Sequence, residues 1–172
     1  MTGNEKNIIV TGGAGYIGSH ACKALAEAGF TPICFDNLSR GHKWAVKWGP
    51  LEVGDILDEN RLSNVLHKYK PSAVMHFAAL SYVGESVTNP LEYYRNNVIG
   101  SYSLLKNMLS HEIEKIIFSS TCAVYGNPSD IPLTEKHIKN PINPYGNTKA
   151  VVENMMEDLS LITKIKYVSL RY

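Results

Sequence analysis

The sequence predicts an α/β fold built on a doubly wound parallel sheet, and three observations carry that expectation. Short, nearly all-apolar β-branched runs alternate with longer stretches of helical periodicity along the chain. Strands that are apolar throughout, rather than at every second residue, belong to a sheet covered on both faces. A glycine-rich turn joins the first strand to the first helix. Right-handed crossovers between parallel strands then favour the strand order 3-2-1-4-5-6.

The elements follow in order. Asn7–Thr11 (NIIVT) has the length and composition of a buried strand and ends at Gly12. From Tyr16 to Ala28, Ile17, Ala21, Ala24, Leu25 and Ala28 recur at helical spacing, and Gly29 supplies the stop. Further strands are expected at Thr31–Phe35, Leu51–Val53, Ala73–Phe77, Lys115–Ser119 and Lys166–Leu170. Helical patterns lie between them near Glu59–Lys68, Pro90–Ser110 and Tyr145–Thr163. Gly126–Pro144, rich in Pro and Asn, is the longest irregular segment, and long ordered loops are more often functional than idle. No repeat, low-complexity stretch or linker divides the chain, so residues 1–172 read as one domain. The sequence stops at Tyr172 directly after an apolar strand, which suggests truncation before a further domain.

Composition narrows the function. Seventeen Lys and Arg against sixteen Asp and Glu leave a formal charge of +1, which removes the electrostatic case for nucleic acid or anionic membrane. Residues Arg40–Trp48 (RGHKWAVKW) interleave bases and aromatics, but read as a short solvated helix with two partly packed Trp side chains. No apolar run is long enough to span a membrane, and the start of the chain lacks a signal peptide. Cys22, Cys34 and Cys122 form no CxxC pair and are expected as reduced core thiols of a cytoplasmic protein. The histidines show no metal spacing, and His76 is expected buried and hydrogen-bonded.

The candidate site begins at Gly12, Gly15 and Gly18. Glycine permits the sharp turn, lets a pyrophosphate approach the backbone amides, and lets the helix pack closely on the strand. Asp36, at the tip of the second strand, is placed to accept the ribose hydroxyls of an adenosine and to repel a 2′-phosphate, favouring NAD over NADP. Arg40 is the counter-indication, because an arginine there receives that phosphate. Asp55 either bonds an adenine amino group, with Ile56 against the ring, or caps a helix. Tyr145 and Lys149 stand four residues apart, on one helix face, where an ammonium together with a positive nicotinamide ring can lower the phenol's pKa for acid–base work. Tyr102 and Lys106 share that spacing but fall inside the preceding helix, where Tyr102 is expected in the core or an interface. Thr121, ending the fifth strand, offers a hydroxyl to orient a substrate alcohol.

The ordered motifs TGGAGYIGSH, DNLSRG, GDI, HFAA, YRNNVIGS, SSTCAVYG and NPYGNTK resemble the extended short-chain dehydrogenase/reductase superfamily. Within it the chain is most similar to the UDP-glucose (UDP-galactose) 4-epimerases, from Ile8 to Tyr172. The resemblance implies a Rossmann domain holding NAD, followed by a substrate domain that this sequence lacks. It places Tyr16 and Ile17 at the pyrophosphate, and Asp36, Asn37, Leu38, Ser39, Arg40 and Gly41 around the ribose. Asp55 and Ile56 come to the adenine. Phe77, Ala78, Ala79, Leu80 and Ser81 come to the nicotinamide side, supported by Asn96. Thr121, Tyr145 and Lys149 become the catalytic set, with Thr121 and Tyr145 touching the sugar. Tyr145 takes the 4-OH proton as hydride leaves C4, and Lys149 anchors the nicotinamide ribose. Dehydratase relatives carry an Asp-Glu pair where this sequence has Cys122 and Ala123, so elimination is disfavoured. The implied substrate is UDP-glucose or UDP-galactose. UDP-arabinose/UDP-xylose, a UDP-N-acetylhexosamine and a non-catalytic NAD-binding role are the alternatives, and the chain alone is expected to be weakly active. A homodimer through the apolar stripes of Pro90–Ser110 and Tyr145–Thr163 is also implied.

Overall fold

Six parallel strands form one sheet in the order β3-β2-β1-β4-β5-β6 in the computed structural model, which describes residues 6–172. The signal-peptide reading of the N-terminus concerns residues 1–5 in part, and these lie outside the described residues. The strands are β1 (Asn7–Thr11), β2 (Thr31–Asp36), β3 (Leu51–Val53), β4 (Ala73–His76), β5 (Lys115–Ser119) and β6 (Lys166–Leu170). The register pairs Val10 with Cys34 and Met75, so β1 lies between β2 and β4 in the middle of the sheet. Strand order and strand positions agree with the sequence expectation; β2 gains Asp36 and β4 stops one residue earlier, at His76.

Alternating strand residues feed two cores. Ile9, Ile33, Phe35, Val74, Ile116 and Phe118 pack with residues of α2 (Glu59–Tyr69), α5 (Gly100–Ser110) and α6 (Pro144–Ile162). Ile8 and Val10 meet Cys22 and Leu25 of α1 (Tyr16–Glu27) in a smaller cluster. Coverage of the second face is therefore narrower than expected, because the twelve-residue α1 lies over β1 and β2 while Val168 of β6 stays half exposed.

Two further differences matter for the site. A six-residue helix, α3 (Val83–Thr88), fills a stretch too short to show periodicity, and Pro90 starts the next helix. The expected helix Pro90–Ser110 is helical throughout, but between α4 (Pro90–Tyr93) and α5 its turns widen to π-helix over Tyr94–Ile99. Such widened turns recur at functional sites. Here one turn aims Asn96 at the cleft while buried Asn97 accepts from Leu80 N–H (2.8 Å) and donates to Leu80 C=O (2.9 Å).

Candidate active site

A cleft of about 430 Å³ opens beyond the carboxyl ends of the strands, where the sheet order reverses between β1 and β4. Ligands of open α/β sheets bind at this switch point. The walls come from the turns after β1, β2, β3 and β4, the ends of β5 and β6, and the first two turns of α6.

The glycine turn owes its sequence to two separate demands. Gly12 has φ +69°, and a Cβ there would lie 2.6 Å from Ala78 N; a Cβ at Gly18 would lie 2.1 Å from the Gly12 carbonyl oxygen. Both glycines are dictated by the chain itself. Gly15 is different: φ −81° and ψ 177° suit any residue, and a Cβ would meet only Gly12 O, at 3.3 Å. Its bare backbone faces the cleft at the N-terminus of α1, which no side chain caps and which has no acidic residue in its first turn. Open amide groups at the positive end of a helix dipole suit a pyrophosphate, so the turn fits the dinucleotide.

Asp36 is buried, with Oδ2 accepting from Ala14 N–H (2.9 Å) and Oδ1 from Leu38 N–H (2.8 Å). These bonds tie the β2 tip to the glycine turn and still leave lone pairs on both oxygens towards the cleft. Leu38, in the left-handed region at φ +60°, serves through its backbone and does not line the wall. Asp55 also stands off the wall: Oδ2 accepts from Asn37 Nδ2 (2.9 Å) and Oδ1 from Leu57 N–H (2.9 Å). The helix-cap alternative for Asp55 is overturned, because Asp58 caps α2 by accepting from Arg61 N–H. Buried Ile56 reaches the wall beside Gly54.

At the other end, Tyr145 and Lys149 line the cleft together. Asn143 caps α6 by accepting from Gly146 N–H, which fixes the start of the helix at Pro144, one residue before Tyr145. Lys149 Nζ, almost fully buried, donates to the Ser119 carbonyl (2.8 Å) and lies 4.8 Å from the Phe118 ring centroid and 5.9 Å from that of Tyr145. Burial pulls the Lys149 ammonium down to about 7. Burial also raises the Tyr145 phenol above its ordinary value, against a smaller lowering by the Thr121 hydroxyl. The expected activation of Tyr145 draws on Lys149 and a bound nicotinamide together, and in the chain without NAD the phenol stays raised. The amine bonds a carbonyl instead of the phenol, and burial favours its neutral form.

Thr121 caps a short 3-10 helix (Cys122–Tyr125) by accepting from Ala123 N–H (3.1 Å), and stands behind the wall instead of in it. Ser119 and Tyr172 occupy the wall at that end, joined through their hydroxyls at 2.5 Å. Phe35, Gly54 and Tyr82 were also absent from the sequence expectation. Phe35, Gly54, Ser119 and Tyr172 sit at or just beyond carboxyl ends of strands, so the switch-point rule applied strand by strand nominates them. His76 is buried as expected, Nδ1 meeting Thr11 Oγ1 (2.7 Å) and Nε2 meeting Ser101 Oγ (2.9 Å), and burial lowers it to about 3. One expectation fails. Cys122 is exposed, since it opens the 3-10 helix beyond the strand, whereas Cys22 and Cys34 are buried. Of the two places expected for Tyr102 the core is excluded, since the side chain is half exposed, and Lys106 pairs with Glu59 (2.8 Å).

Residues 8–172 match the NAD dependent epimerase/dehydratase family. The chain belongs to that family. It is 52% identical over 168 residues to a UDP-glucose 4-epimerase of Rhizobium meliloti (strain 1021), covering 98% of this chain and 51% of the relative. Among solved structures it is similar to UDP-glucose 4-epimerase from Brucella ovis in complex with NAD (52% identity, TM-score 0.95, 97% of this chain and 51% of that one). A Stenotrophomonas maltophila UDP-glucose-4-epimerase with bound NAD and formylated UDP-arabinopyranose aligns with TM-score 0.94 at 37% identity, over 98% of this chain and 53% of that one. The epimerase-family chain thus spans about half the length of the curated relatives it matches. Among the described residues no helix is long and apolar enough to cross a membrane, and no cluster of His, Cys, Asp and Glu could hold a metal.

Proposed function

We propose that this chain is the NAD-holding part of a UDP-sugar 4-epimerase, interconverting UDP-glucose and UDP-galactose. The single observation that carries the reading is the shared cleft, in which the bare glycine turn and Asp36 line one end and Tyr145 and Lys149 the other. NAD, when bound, supplies a reversible hydride acceptor and leaves the cycle unchanged. Gly12, Gly15 and the amides of Tyr16 and Ile17 receive the pyrophosphate, and Asp36 accepts from the adenosine ribose. Asn37 through Gly41, with Asp55 and Ile56, border the adenosine, and Phe77 through Ser81 with Asn96 shape the far end. Tyr145 Oη accepts the proton of the sugar 4-OH and returns it when the opposite face of C4 is reduced. Lys149 holds the neighbouring ribose and, when protonated, favours the phenolate. Thr121 acts from behind on the Tyr145 hydroxyl.

The relatives are about twice as long, and remote contacts position reacting atoms, so this span alone is expected to bind NAD and turn over sugar poorly. Tyr94, Tyr102 and Ile162 are exposed while Leu105, Val152 and Met156 are in the core, which leaves one apolar edge for pairing with a second copy. Calorimetry with NAD tests the cofactor reading, and absence of 1:1 binding would defeat it. Chromatographic separation of UDP-glucose from UDP-galactose tests the chemistry. Any interconversion should vanish in Tyr145→Phe, and its persistence there would remove Tyr145 from the mechanism.

A further inference from the structure

The sequence holds two opposed signals for the adenosine ribose, an aspartate that repels a 2′-phosphate and an arginine four residues later that attracts one. The structure contains a third residue that decides between them. Arg40 leaves the β2 turn beside Asp36, since Gly41, its neighbour, packs so close that a Cβ there would lie 3.0 Å from Asp36 Oδ1. Its guanidinium does not turn towards that ribose position as a free donor. Arg40 Nη2 donates to Glu85 Oε1 at 2.6 Å, and the guanidinium carbon lies 5.2 Å from the Tyr82 ring centroid. Glu85 belongs to α3, after β4, and is 45 residues away in sequence.

Glu85 is itself held. Its Oε2 lies 2.9 Å from the hydroxyl of Tyr93, which is fully buried. That hydroxyl also accepts from Tyr82 N–H (2.9 Å) and lies 2.7 Å from the Tyr82 carbonyl, so it is fixed from two sides. The acceptor is therefore anchored in the core, and the flexible arginine comes to it. Arg40 lines the cleft and Glu85 does not.

Resting on the reading of this cleft as a dinucleotide site, we propose that Glu85 is a specificity-determining residue that withholds Arg40 from a 2′-phosphate and so enforces NAD over NADP. An arginine recognises a phosphate by presenting two parallel N–H groups. In this chain a carboxylate already occupies one edge of that fork and neutralises its charge. A 2′-phosphate entering the cleft would have to displace Glu85, leaving its carboxylate on Tyr93 alone, and would meet the Asp36 charge as well. The pair is partly exposed, at 50% and 32% of the two side chains, so salt should weaken the exclusion.

Binding of NAD and of NADP to the purified chain, measured by calorimetry at low ionic strength, tests the inference without requiring turnover. Glu85→Gln keeps the shape and removes the charge. NADP affinity should rise roughly fivefold, the scale of one exposed ion pair, while NAD affinity stays within about twofold. The double variant Arg40→Met/Glu85→Gln should lose the NADP gain, because the gain acts through Arg40. An unchanged NADP-to-NAD ratio in Glu85→Gln, or an equal gain in the double variant, would overturn the proposal. If Glu85→Gln disturbs α3, Glu85→Asp serves instead. Its shorter carboxylate draws back from Arg40 and should move the ratio the same way, and a ratio that stays put would again overturn it. NAD binding by the unaltered chain separates this failure from failure of the cofactor reading, since a chain that binds no NAD removes both.

Discussion

Burying Lys149 should make the active site a source of instability, and replacing it should stabilise the fold. The amine falls from 10.5 to about 7 through burial, a shift of about 3.5 units or roughly 5 kcal/mol between its charged and neutral forms. Because the folded value is the lower one, the unfolded chain binds more protons between about pH 7 and 10.5, and stability rises with pH across that window. At pH 7 the site is about half protonated, so the penalty there is about 4 kcal/mol. Lys149→Met removes the penalty, fills similar volume, and forfeits the bond to the Ser119 carbonyl, worth about 1–1.5 kcal/mol. The net gain is roughly 3 kcal/mol at pH 7, or about 6–10 °C in melting temperature for a chain of this size. The gain should shrink as pH rises, cross zero near about pH 9.5, and reverse above it. Urea unfolding of the NAD-free protein at several pH values reads this directly. A Lys149→Met variant less stable than the parent at pH 7, or a difference independent of pH, would refute the reasoning.

Two other perturbations test the frame around the site. Gly18→Ala drives a methyl to 2.1 Å from a backbone oxygen, so the glycine turn and α1 must part; stability should fall by about 1–3 kcal/mol in thermal unfolding, and NAD affinity by about tenfold or more in calorimetry. On the sheet edge, burial alone would raise the Glu52 carboxyl, but hydrogen bonds from Lys68, Tyr69 and Arg61 overcome it and bring the group to about 2. That stabilisation is in full force above about pH 4.5 and is lost as pH falls towards 2; in Glu52→Gln the acid limb of the stability curve should flatten by roughly 2–3 kcal/mol, measured by unfolding between about pH 6 and 2.

The sheet was legible in the sequence because each strand is a short apolar run with a clear end, and parallel connections leave little freedom in topology. The cofactor end was legible for the same reason: Gly18 and Asp36 answer to backbone geometry within one strand–helix–strand unit, and Gly12 to its own positive φ. Longer-range pairing hid the rest. Nothing near Arg40 in sequence announces that Glu85 will take its charge, and nothing near Ser120 announces buried Glu153. Glu153 lies four residues beyond Lys149 on α6, accepts from Ser120 Oγ (2.5 Å) and pairs with Arg171 through two nitrogens (2.9 and 2.6 Å). It thereby ties α6 to the ends of β5 and β6. Helix α3 was hidden by length alone, since six residues hold less than two turns of pattern.

Burial also decides where the activation of Tyr145 comes from. Tyr145 and Lys149 are pushed in opposite directions, the phenol up and the amine down, so both drift towards their neutral forms and neither charge supports the other. Lys149 Nζ donates to the Ser119 carbonyl and not to the phenol. On the proposed mechanism, the phenolate that abstracts the proton would be favoured by positive charge entering the cleft with the ligand. Tyrosinate absorbance locates the step. Titrating the NAD-free chain and Tyr145→Phe in parallel isolates this phenol from the chain's other tyrosines, and their difference should titrate above the range of an ordinary phenol. Loading the cleft with NAD should bring the difference signal down towards neutral pH. A Tyr145 signal already present near neutrality in the NAD-free chain would mean that the helix arms its own base, and the division of labour between fold and cofactor argued from burial would be wrong.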